Sequence, residues 1–178
     1  CTNNGSVSNG GGIIGNSSSS CSIINCINNG SVSNGGGIIG NSSSSCTTTN
    51  CTNNGSVSNG GGIIGNSSDL SNATNCTNAI DANLSLNSGG IFGNNTSHCT
   101  VNNCSNLASI SNLSGGIVGS NSSYNIVNNS SNAGNIDNSG GIFGNLSTNC
   151  VVRNCYNTGD ITNSGSGLVG NNCSFVIS

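Results

Sequence analysis

From Cys26 to Asn50 the chain reads CINNGSVSNGGGIIGNSSSSCTTTN, and the residues on either side repeat it. Cys1 to Asn25 and the stretch from Cys51 are near-identical copies of this 25-residue unit. Looser copies begin at Cys76, Cys104, Ser130 and Cys155, lengthened by one to three residues where an insertion falls. A fixed period of roughly 20–50 residues marks a solenoid, in which each unit buries its apolar face only against its neighbours. The 178 residues are therefore expected to form one rod-like domain, 1–178, of about seven coils.

Aligned on their Gly-Gly-Ile segments, the copies resolve into columns. Val7, Val32, Val57, Leu84, Ile110, Ile136 and Ile161 make one apolar column, flanked in the first units by serines, as in Ser6-Val7-Ser8. Polar–apolar–polar alternation is the pattern of a half-buried strand. Ile13, Ile38, Ile63, Ile91, Ile117, Ile142 and Leu168 make a second inward column. Ile23, Thr48, Ala73, Val101, Val127 and Val152 make a looser third. Three short strands per unit, parted by Gly, Asn and Ser clusters and without helical spacing of apolar residues, predict an all-β, three-sided parallel β-solenoid. Right-handed winding is the expectation from the coil length. At ~4.8 Å per rung, seven rungs span ~34 Å.

Glycine recurs at Gly12 and Gly15 and at their copies without exception, which suggests corners with positive φ or close backbone approach. Two asparagine columns, one beginning at Asn3 and one at Asn25, are equally regular. Stacked amides at solenoid corners can donate and accept from coil to coil, so both columns read as structural ladders.

The 11 cysteines fall into two columns, and Cys21/Cys26, Cys46/Cys51, Cys99/Cys104 and Cys150/Cys155 each enclose four residues. Zinc is disfavoured, since no short Cys-x₂-Cys knuckle occurs and the lone His98 cannot complete several sites. Disulfides and ladders of buried thiols both remain open. Ser71 leaves Cys76 without its partner, and Asn125 and Ser130 replace a whole pair, which favours thiols packed as small hydrophobes.

Composition narrows the function classes. Arg153 is the only Lys or Arg, so counterion-release binding to nucleic acid has no cations to work with. No apolar run approaches ~18 residues, so membrane insertion is not expected. Methionine is absent, and a mature or trimmed piece is the expectation, Cys1 standing at the repeat position of Cys26 and Cys51 rather than marking a lipoprotein.

The later units read CSNLASISNLSGGIVGSN, AGNIDNSGGIFGN and CYNTGDITNSGSGLVGNN. They resemble the GLUG-type repeat, built on a Gly-Leu-Val-Gly-like strand after a Cys-Tyr-Asn-x-Gly-x-Ile/Val segment. Gly167-Leu168-Val169-Gly170 is the closest match, while the early units carry Ile-Ile in place of Leu-Val. The resemblance implies a secreted or surface-displayed β-helical stalk or filament module and brings no catalytic residues.

Several candidate sites follow. Ile14, Ile39, Ile64, Phe92, Val118, Phe143 and Val169 run beside an inward column, so strict strand alternation would turn them outward into a lateral docking ridge. The alternative is a corner that tucks both columns inward. Ser6, Ser8, Ser31, Ser33, Ser56 and Ser58 form a hydroxyl array that raises ice binding, though later units interrupt it. Asp137 and Asp160 lie on neighbouring coils of one face, where solvated carboxylates are the plainer reading. Asn16 and Asn41 head N-glycosylation sequons. The expanded 79–88 segment is a candidate ligand- or carbohydrate-binding surface.

The expectation is thus a non-enzymatic structural rod of an extracellular or particle-surface, adhesin-like filament. It would use no cofactor and have itself as partner, end to end and laterally, its uncapped coils being open strand edges. A disordered, prion-like Gly/Asn/Ser tract is the outlying alternative.

Overall fold

Because the repeat length is nearly constant, each residue comes to lie over its copy in the next coil. The computed structural model describes residues 1–79, 81–86 and 88–177, so Ile80 and Asn87 of the expanded segment lie outside the described residues. Every regular element described is a strand, and every pairing is parallel and in register.

One seven-stranded sheet stacks Thr2–Asn3, Ile27–Asn28, Thr52–Asn53, Thr77–Asn78, Ser105–Asn106, Ser131–Asn132 and Tyr156–Asn157. A second stacks Ser22–Ile24, Thr47–Thr49, Asn72–Thr74, Thr100–Asn102, Ile126–Asn128, Cys150–Arg153 and Phe175–Ile177. The file from Val7 to Ile161 forms a third, narrower ladder, pairing mostly one residue per rung. The molecule is a parallel β-solenoid of about six turns with a repeat of ~25 residues.

Two more ladders run along the rod: Ile14 to Val169, on the Gly-Ile segment read as a strand, and Ser19 through Ser44, Asp69, Ser97 and Ser123 to Thr148, where the sequence predicts only a turn. In-register stacking lets even a corner residue donate to the rung above. Ser17 N–H reaches Asn41 O at 2.8 Å, and Ser20 N–H reaches Ser44 O at 3.0 Å.

The Ile14 file corrects the docking-ridge expectation. Ile39, Ile64, Phe92, Val118 and Phe143 are at most 1% exposed, and Ile14 and Val169 are half-buried only because they sit in the outer coils. The reason lies in the backbone: the N–H groups of Ile13 and Ile14 both donate to Ile38 O, at 3.0 and 2.9 Å. Successive N–H groups of an extended strand point opposite ways. Here the chain turns between the two residues, and both side chains enter the core.

The glycines are a second refinement. Positive φ falls not on the Gly12 and Gly15 columns but on Ser and Asn, as at Ser17, Ser20 and Asn25 with φ of 56°, 55° and 54°. Gly37 is required by contact instead: a Cβ there would stand 2.1 Å from Gly62 O and 2.4 Å from Asn53 Cγ.

Candidate functional site

The asparagine column from Asn3 to Asn157 lies on strands with its amides turned inward, rather than at a corner. Each Nδ2 donates to the Oδ1 of the next rung through Asn28, Asn53, Asn78, Asn106, Asn132 and Asn157, at 2.6–2.8 Å. The second hydrogen of Asn28 and Asn53 satisfies the carbonyl two residues on, at Gly30 and Gly55. Both columns are therefore ladders, but only the one from Asn25 to Asn154 occupies a left-handed corner.

All eleven cysteines are free thiols, seven of them buried. Cys46 and Cys51 donate to the carbonyls of Ser44 and Thr49, each two residues back, at 3.3 Å. Cys104 Sγ accepts from Cys76 N–H, the equivalent residue one rung earlier. A hydroxyl performs both tasks. Ser130 Oγ donates to Asn128 O and accepts from Cys104 N–H, and Ser71 Oγ does the same with Asp69 O and Cys46 N–H. This shared job explains why Ser and Cys interchange along the file. Burial pushes the Cys99 thiol up to about 12 and Cys150 to about 11. Cys104 is drawn the other way, chiefly by the hydrogen bond from Cys76.

Asn16 and Asn41 are also engaged. Asn16 Oδ1 accepts from Asn41 N–H and Asn41 Oδ1 from Asn66 N–H, both at 2.8 Å. Their Nδ2 groups donate to Asn9 and Asn34. A glycan on Asn41 would leave its Nδ2 one hydrogen, the one needed for the bond to Asn34.

The corner file beginning at Ser20 and Ser45 continues as Leu70, His98 and Tyr124. The His98 and Tyr124 rings stack with centroids 5.0 Å apart and planes 9° from parallel. His98 Nδ1 lies 3.4 Å from Asp69 Oδ1, which also accepts from Ser97 Oγ at 2.7 Å. Sequence reading left His98 as a lone residue; numbering its corner against Ser20 and Ser45 would have exposed the file.

The surface over the later coils of the Val7 file is cut by a cleft of about 500 Å³. Asn83, Ser85, Ser109, Ser111, Asn135, Asp137 and Thr162 line it, over the strands of Leu84, Ile110 and Ile136. Asp137 stands in register with Thr162, not with Asp160. Its Oδ1 accepts from Asn163 Nδ2 at 2.7 Å and from Thr162 Oγ1 at 3.4 Å.

No family model, curated protein or solved structure matches this chain. Its surface and its files of stacked side chains therefore carry the functional argument. The serine pairs Ser6/Ser8 and Ser31/Ser33 are exposed on the early coils. They continue into the cleft, and the 83–85 part of the expanded segment lies at its rim. No described helix is long and apolar enough to cross a membrane.

Proposed function

We propose that this chain is a structural rod of an extracellular or particle-surface, adhesin-like assembly, lengthened by end-on addition of further rungs. The observation that carries the reading is register: Val7, Val32, Val57, Leu84, Ile110, Ile136 and Ile161 pair in one unbroken file, through insertions of up to two residues. A stack that tolerates such insertions without losing register presents the same backbone donors and acceptors at each new rung. Another repeat, from the same chain or another copy, can add to that edge by strand pairing. The resemblance of the later units to GLUG-type repeats supports the surface location.

Burial of the Ile14 file removes the apolar ridge that lateral bundling would have used, so elongation rather than bundling is the proposed mode. Electron microscopy of the purified chain over a concentration series tests this. Unbranched rods of constant width that lengthen with concentration are expected. Particles of fixed length at every concentration would remove self-association, and images without ordered rods would remove the structural reading altogether.

A further inference from the structure

We propose that the cleft over the last four coils binds an extended, neutral, hydroxyl-rich ligand, a linear oligosaccharide lying along the rod axis. Its volume of about 500 Å³ falls within the range of small-molecule sites. Successive rungs supply it with matching pairs that flank an inward residue: Asn83 and Ser85, Ser109 and Ser111, Asn135 and Asp137. At ~4.8 Å per rung, the rows from Asn83 to Thr162 repeat over ~14 Å. A periodic ligand can meet them with one hydroxyl-bearing unit after another.

The backbone at Leu84 and Ile110, in the middle of this face, is already paired between rungs. Leu84 N–H is taken by Ser109 O and Ile110 N–H by Asn135 O, while Leu84 O and Ile110 O receive Ser111 and Asp137. An extended peptide, which docks by main-chain pairing, is thereby disfavoured. An occupant meets hydroxyls, amides and one carboxylate, the groups that recognise alcohols.

Asp137 is the anchor. Asn163 Nδ2 holds its Oδ1 at 2.7 Å, whereas its Oδ2 has no partner in the chain among the described residues. A positioned, unpaired carboxylate oxygen at a cleft wall accepts strongly from a ligand hydroxyl. The only Arg or Lys, Arg153, lies on the Ser22–Ile24 sheet, so the cleft has no cation to receive an acidic or phosphorylated ligand.

Isothermal titration of the whole chain with maltohexaose and cellohexaose is the test, with polygalacturonate and oligolysine as charged controls. At least one hexaose is expected to bind, weakened about tenfold or more in Asp137→Ala. Ser109→Trp should abolish binding by filling the cleft. Ser33→Trp, on the same face of the second coil, should leave it unchanged. Circular dichroism on every variant reports the fold separately, and rod formation by microscopy is read independently. Failure of both hexaoses to bind, binding of oligolysine alone through Asp137, or equal loss in Ser33→Trp and Ser109→Trp overturns the proposal.

Discussion

Single residues in this solenoid are chosen by what the rung above and the rung below require. Asn53 donates to Gly55 O and Asn78 Oδ1 and accepts from Asn28, all inside the coil. Asn53→Ala therefore leaves three buried polar groups unpaired, at a cost of about 3 kcal/mol or more. Asn54→Ala, which removes only an exposed bond to Asn29, should cost under about 1 kcal/mol. Denaturant unfolding of the two variants side by side checks the contrast. Leu70 poses the opposite case: it is 54% exposed and sits at φ 52°, where its copies are Ser20 and Ser45. A bulky side chain gains nothing there and bears backbone strain. Leu70→Asn is expected to raise the melting midpoint by about 2–4 °C in a thermal scan.

At the scale of the strand and the file, the outcome turns on where alternation holds. The Val7 file was legible in the sequence because polar residues flank it in every coil, and the third column, Ile23 to Val152, because it recurs at the repeat spacing as the buried middle of a strand. The Ile14 file was only half legible: strand alternation turns it outward and a corner turns it inward, and the sequence does not show that the chain turns between Ile13 and Ile14. Its burial gives a direct test. Ile39→Asp should unfold the rod, seen as loss of the far-ultraviolet strand signal, since a carboxylate at a fully buried site has no partner. Of the αL corners, the Asn25 column was legible, but those at Ser17 and Ser20 were not, because Ser occurs almost everywhere and composition could not single them out. Of the cleft, the 79–88 expansion and Asp137 are legible in the sequence, whereas the register that sets Asp137 opposite Thr162 rather than Asp160 is not.

The thiol files set the pH response at the same scale. Cys99 and Cys150 are raised by burial from 9.0 to about 12 and about 11. Below pH 9 these thiols are protonated both folded and unfolded, and their contribution is fully present. Above it the unfolded thiols ionise first, so stability falls as pH rises through 9 toward 11–12. Denaturant midpoints measured from pH 8 to 11.5 should fall steadily, and the fall should be shallower when Cys99 and Cys150 are both replaced by Ser.

For the molecule as a whole, the inward amide ladder settles more than stability. All six of its links run the same way, from Nδ2 of one rung to Oδ1 of the next. Any stack cut across this ladder shows carbonyl oxygens on one face and amide hydrogens on the other. Two such rods brought nose to nose would set like partial charges against each other, whereas nose to tail they complete the missing link. A fibre built on this plan is an arrow, each new subunit facing as the last one did, whichever end it joins.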